Sequence, residues 1–151
     1  MIISLLPLWV ILFICSFDQL SKYIICTLSS SLPLQVTSFF NLVFTQNRGM
    51  SFGLLNHTSP YIFYSVTGFV ILLCLYLGYW IWKEKNRAVT LSLSLILGGA
   101  LGNLLDRFWR GGVVDFLDFH IQSLHWPAFN VADSFIFLGV LALLWNNRKS
   151  K

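Results

Sequence analysis

Apolar residues run along this chain in four long stretches, about 5–25, 60–82, 88–107 and 128–146, and the polar positions gather between them. Each stretch is close to the ~20 residues that an α-helix needs to cross the hydrocarbon core of a bilayer. The pattern predicts four transmembrane helices. The first stretch has no Lys or Arg before Lys22 and no small-residue cleavage site, so it is expected to stay as a helix rather than be removed as a leader. It is interrupted by Asp18 and Lys22, four apart with the acid first, the favourable order for a helical ion pair. That pair reads either as a neutralised structural element or as a group that orients a site nearby.

The polar segments carry their own signals. After a polar loop at 27–33, Phe39 to Thr45 is aromatic and β-branched and predicts a strand. Asn47-Arg48-Gly49 is a turn signal, and Met50 to Leu55 predicts a return strand. Together they predict a small β-sheet cradle, about 36–56, between the first two helices. Ser59-Pro60 supplies a cap residue and a first-turn proline for the second helix. That helix carries no charge until Trp80-Ile81-Trp82-Lys83 marks an interface, and a short basic hairpin at 83–87 leads to the third. In the third, Gly98 and Gly102 have the spacing that lets helices approach closely in lipid. The connector at 113–127 reads as a strand or as an extended segment. One membrane domain over 1–151 accounts for the whole pattern.

Composition agrees with a bilayer as solvent. Of 151 residues 56% are hydrophobic and 11% charged, with mean hydropathy +0.72, against about 25% charged in soluble domains. The net charge of +4 sits at helix ends and not on one stripe, so nucleic acid is not an expected partner. Cys15, Cys26 and Cys74 lie in or beside apolar stretches and read as buried hydrophobes. His120 and His125 have no further ligand at metal spacing, and no metal is expected. Lys83, Lys85, Arg87, Arg148, Lys149 and Lys151 fall on one side, and Lys22, Arg48, Arg107 and Arg110, placed among acids, on the other. The positive-inside rule then predicts both termini in the cytoplasm.

That orientation concentrates five of the six acids, Asp18, Asp106, Asp115, Asp118 and Asp133, on the outer side or in the outer third of a span. None falls at the predicted midplane, where a proton or ion pathway wants relay groups. A small transporter or channel using the outer acids as a vestibule is the alternative, and a non-catalytic assembly protein packing through Gly98 and Gly102 a third reading. A hydrolase acting near the outer surface fits the layout best. No G-x-S-x-G motif is present. Two aspartates sharing a proton can hydrolyse a peptide, one taking a proton from water while the other donates to the carbonyl oxygen. Asp106 beside Arg107 and Arg110 reads as a carboxylate held in a salt bridge, and Asp118 as a connector carboxylate facing water. Asp115 and Asp133 have the least obvious charge partners and are the expected pair.

Five blocks in this order carry a resemblance to a family. They are Asp18-Gln-Leu-Ser-Lys22, Asn47-Arg-Gly-Met-Ser-Phe-Gly53, Gly98-Gly-Ala-Leu-Gly-Asn-Leu-Leu-Asp-Arg107, Gly112-Val-Val-Asp-Phe116 and Phe129-Asn-Val-Ala-Asp-Ser134. The chain resembles the lipoprotein signal peptidases (signal peptidase II), bacterial membrane aspartyl proteases. The resemblance implies a catalytic dyad at Asp115 and Asp133. It implies that Asn47, Asn103, Arg107 and Asn130 hold substrate or orient the dyad, and that Asp18, Lys22 and Asp106 support the site. It implies a diacylglyceryl prolipoprotein as substrate, cut just before its lipidated cysteine, no cofactor, inhibition by globomycin, and a monomer among the lipids of the bacterial cytoplasmic (inner) membrane with its active site on the extracytoplasmic side. Ser51 departs from an expected Ala, a small change in the outer sheet.

Overall fold

The structure, a computed structural model, describes residues 5–48 and 60–149. In chain order its elements are α1 (Leu6–Thr27), β1 (Leu34–Thr37), β2 (Phe40–Asn47), α2 (Pro60–Lys83), α3 (Arg87–Arg110), β3 (Val113–Ile121), β4 (Leu124–His125) and α4 (Val131–Lys149), with one 3-10 turn at Ser29–Ser31. The helices α1, α2 and α3 are long and apolar enough to cross a membrane, and the apolar part of α4, Val131–Asn146, is shorter.

Helix α3 is the centre, packed against α1, α2 and α4. Its small residues permit that. A Cβ at Gly98 would lie 3.0 Å from Ile14 Cβ, one at Gly99 2.4 Å from the Ala132 carbonyl oxygen, and one at Gly102 2.6 Å from Asp18 Oδ2. From α4, Gly139 returns the fit against Ser92 and Ile96. Ser92 and Ser94, buried in the same helix, donate to the carbonyls four residues back and so bring no unpaired hydroxyl into the packing. The helix starts on Asn86, whose side chain accepts from Ala88 N and Val89 N, and ends on Gly111 at φ 68°. Large side chains such as Trp9, Phe13, Phe69, Leu72 and Phe137 point away from the bundle and are exposed. A face of that kind is stable when lipid covers it.

The four strands form one antiparallel order, β1-β2-β3-β4. Asn41 lies opposite Asp118 and Thr45 opposite Asp115, with a bulge in β2 between them. The cradle therefore differs from the hairpin expected between the first two helices. The strand expected at 39–45 is β2, β1 precedes it, and the connector after α3 supplies β3. The return strand expected at 50–55 falls outside the described residues. Ile25, Val114 and Phe116, with Cys26, Leu32, Leu42 and Val131 around them, join the sheet to the ends of α1 and α4.

Helix ends also shifted by a few residues, among them the end of the first (Thr27 against 25) and of the fourth (Lys149 against 146), and two of the shifts have a visible cause. The third helix runs to Arg110 and not 107, because Gly111 is the residue able to take the left-handed cap. The fourth starts at Val131 and not 128, because Phe129 is pinned to β3. Phe129 O accepts from Phe116 N and Leu117 N, and Phe129 N donates to Leu117 O.

Gly99→Ala is expected to lower the thermal unfolding temperature in detergent by an overpacking cost of about 1–3 kcal/mol, whereas Gly78→Ala, with nothing within 4 Å of the added methyl, is expected to leave it unchanged or slightly raised. Equal loss in both would mean that close helix approach is not what Gly99 provides.

Candidate active site

The site begins with a charge in an unlikely place. Lys22 is fully buried between two carboxylates that are also fully buried, Asp18 and Asp106. An ammonium has three N–H donors and stays charged in such a place only if all are matched. Lys22 Nζ lies 2.8 Å from Asp18 Oδ2, 3.0 Å from Asp106 Oδ2 and 2.9 Å from Asn103 Oδ1. The remaining carboxylate capacity is filled from four elements. Ala132 N, in the first turn of α4, donates to Asp18 Oδ1 at 2.9 Å. Val114 N, in β3, donates to Asp106 Oδ2 at 3.0 Å. The Arg110 guanidinium in α3 and the Gln19 amide in α1 both donate to Asp106 Oδ1. Removing one charge from such a group costs about 3–5 kcal/mol.

The third donor of Lys22 leads out of this network. With Oδ1 of Asn103 taken by Lys22 and by Asn130 Nδ2 at 3.1 Å, the Asn103 amide nitrogen is turned toward Asp133 Oδ1, 2.8 Å away. Asn130 precedes α4 and serves two acids at once. Its Oδ1 accepts from Asp133 N at 2.9 Å, while its Nδ2 donates to Asp115 Oδ1 at 2.7 Å. Asp133 Oδ2 in turn accepts from Asn130 N at 3.3 Å, a reciprocal cap of the helix start. From β2, Asn47 Nδ2 donates to Asp115 Oδ2 at 3.1 Å. Asp115 and Asp133 thus arrive from a strand and a helix, and asparagines from β2, α3 and the start of α4 hold them.

Both aspartates face one cavity of about 350 Å³, lined also by Asn47, Asn103, Arg107 and the segment from Trp126 to Phe129. Arg107 Nη1 donates to its own helix at Asn103 O, 3.0 Å, and Arg107 Nε is buried with no hydrogen-bond partner among the described residues. Burial pushes the Asp115 carboxyl up to about 6, and the negative Asp133 adds to the push against the Asn47 and Asn130 donors and the Lys22 charge.

The residues picked out in the sequence fall into two connected groups. Asp115, Asp133, Asn47, Asn103 and Arg107 line the cavity, with Asn130 buried behind the two acids and bonded to both residues, and Asp18, Lys22 and Asp106 form the buried network further back. Asp118 corrects an expectation. It does not face water but is buried in the sheet, where Asn41 Nδ2 donates to it at 2.9 Å and His125 Nδ1 lies 2.9 Å from Oδ1. Burial pushes its carboxyl upward, but the Asn41 and His125 bonds outweigh this and hold it below the usual range. Asp106 is ion-paired, through Lys22 and Arg110 and not through its neighbour Arg107. Gln19 went unnoticed: its amide reaches Asp18, Asp106 and Gly102 O, and its Oε1 accepts from Arg110. A lone amide beside Asp18 in an apolar stretch was the available signal.

Apolar helices that bring two carboxylates to one cavity beside a small sheet define a membrane protein with a paired-carboxylate site. Comparison narrows this. The sequence profile of the family described as Signal peptidase (SPase) II matches residues 10–148. The lipoprotein signal peptidase of Burkholderia vietnamiensis is 46% identical over 132 residues, covering 86% of this chain and 80% of the relative. That of Burkholderia multivorans is 44% identical over 135 residues, with the same coverage. Among solved structures, a bacterial membrane enzyme at 1.9 Å resolution superposes with TM-score 0.80 at 32% identity, covering 96% of this chain and 94% of that one. Another at 2.3 Å gives TM-score 0.77 at 31% identity, covering 95% and 87%. The chain belongs to the signal peptidase II family.

A carboxyl that titrates at about 6 when folded, against 3.8 for the unpaired group, binds its proton more tightly in the native state. Wild-type stability should therefore fall as pH rises from about 4 to about 6 and stay lower above. Asp115→Asn removes that dependence. Its unfolding temperature relative to wild type is expected to climb across this window, an effect on the order of 1–3 kcal/mol. A flat difference from pH 4 to pH 8 would show that Asp115 is not perturbed.

Proposed function

We propose that the chain is an aspartic endopeptidase of the bacterial cytoplasmic membrane that removes the signal peptide from diacylglyceryl prolipoproteins, cutting just before the lipidated cysteine. The observation that carries this reading is the single Asn130 side chain that donates to Asp115 while capping Asp133. It fixes the two carboxylates relative to each other in a common cavity. Family membership and the lipoprotein signal peptidases among the relatives support the substrate class.

In the proposed reaction the pair holds one proton, on Asp115, whose raised affinity suits it to that role. Asp133 accepts a proton from a water molecule as its oxygen attacks the scissile carbonyl carbon. Asp115 donates its proton to the carbonyl oxygen, giving a tetrahedral diol. Collapse returns a hydroxyl proton to Asp115 and passes the proton on Asp133 to the departing cysteine nitrogen. One peptide bond and one water are consumed, and a carboxyl and an amine are released. In this reading Arg107 and Asn47 hold the peptide backbone, which their position on the cavity wall supports. The full topology in this reading is four spans with both termini cytoplasmic and the site on the extracytoplasmic side, near the depth of the lipidated cysteine. The enzyme acts as a monomer without metal or organic cofactor, and globomycin blocks it.

Asp115→Asn and Asp133→Asn are each expected to cut the cleavage rate of a diacylglyceryl prolipoprotein, followed by gel shift, by at least ~10²–10⁴-fold with the fold retained. Cleavage by either mutant near the wild-type rate would refute the dyad. Asp106→Asn should first lower unfolding temperature, since it strips Lys22 of a buried partner; a stable but inactive protein would instead move Asp106 into the chemistry.

A further inference from the structure

Strand alternation places Val113, Asp115, Leu117 and Phe119 on one face of β3, and Val114, Phe116 and Asp118 on the other. The second face is buried. The first begins buried at Asp115, 3% exposed, and opens toward Phe119, 40% exposed. Phe119 stands between two more rings, Phe40 on β2 at 4.8 Å and Phe129 at 5.8 Å, stacked at 17°. Phe129 also lines the cavity that Asp115 and Asp133 share. An aromatic shelf thus runs without a break from that cavity out along the sheet. Beneath it the Asn41–Asp118–His125 cluster holds β2, β3 and β4 together, so the shelf is backed by a satisfied polar layer.

We propose that Phe119, flanked by Phe40 and Phe129, is a subsite for the stretch of substrate polypeptide that follows the lipidated cysteine. This rests on the peptidase reading above. The distance fixes which residues it takes: Phe119 is four residues along the strand from Asp115, about 13 Å, so an extended chain whose scissile bond lies at Asp115 reaches it about four residues on. The direction fixes which side of the cut. β3 leads away from the end of α3, and the apolar helix of a signal peptide belongs among the spans in the bilayer. Only the segment beyond the cysteine is free to lie along the sheet. Ring faces bury a passing chain with little demand on its sequence, which suits substrates that differ after the cysteine.

The test compares two synthetic diacylglyceryl prolipopeptides, one ending about two residues after the cysteine and one about eight, spanning the ~13 Å reach. Wild type is expected to show a KM roughly tenfold lower for the longer peptide, about 1.4 kcal/mol, with kcat similar for both. Phe119→Ala should erase that advantage and leave the shorter peptide's KM and kcat unchanged, and Phe119→Tyr, which keeps the ring, should retain it. Equal KM values for the two peptides in wild type would overturn the subsite while leaving the peptidase reading intact. An equal loss on both peptides in Phe119→Ala would overturn it in favour of a contact with the lipid surface or the fold. No cleavage of either peptide by wild type would overturn both.

Discussion

Everything near the cavity depends on keeping one ammonium group charged inside the helix bundle. Lys22 is held by Asp18, Asp106 and Asn103, and those three acceptors account for its three donors. Each acceptor is then used a second time. Asp18 takes a backbone N–H from the start of α4, and Asp106 takes one from the start of β3. These two starts are the segments that carry Asp133 and Asp115. The desolvation cost of the buried charges is offset by bonds that also fix where both acids stand. Asn103 extends the same logic, since Lys22 decides which end of its amide faces Asp133.

The close approach of helices makes this network possible. A residue larger than glycine at 102 would collide with Asp18, and one at 99 with the start of α4. The glycines of α3 therefore do more than join helices. They bring α1 and α4 near enough for a lysine on one and a backbone amide on the other to share a carboxylate. In the proposed enzyme, packing and positioning are the same feature, and the site is shared between the helices, which carry Asp133 and Asn103, and the sheet, which carries Asp115 and Asn47.

The long apolar stretches made the helices legible, because length and hydrophobicity suffice for them. Their ends were less so. Arg110 and Pro127–Asn130 took the positions dictated by the Gly111 cap and by pairing of Phe129 with β3, which are tertiary facts. The sheet was half legible. Aromatic and β-branched residues announced β2, but nothing local says that its partner lies about 70 residues away in β3. Of the site, Asp115 and Asp133 could be singled out by their lack of obvious partners, and Asp18 with Lys22 by their spacing. Asp118 could not be placed, because its partners Asn41 and His125 come from strands whose register is not written in the local sequence. Gln19 was hidden for a different reason: its partners Gly102, Asp106 and Arg110 lie on α3, and the facing of α1 and α3 is a matter of tertiary packing.

In this account Asp115 and Asp133 act as one pair, and the pair does the chemistry. The most direct measurement is the carboxyl titration of Asp115, followed by carbon-13 NMR in detergent, in wild type and in Asp133→Asn. The account expects a wild-type midpoint of about 6 and a lower one in the mutant, where the neighbouring negative charge is gone. A wild-type midpoint near 3.8, or a raised one that Asp133→Asn leaves unmoved, would contradict it.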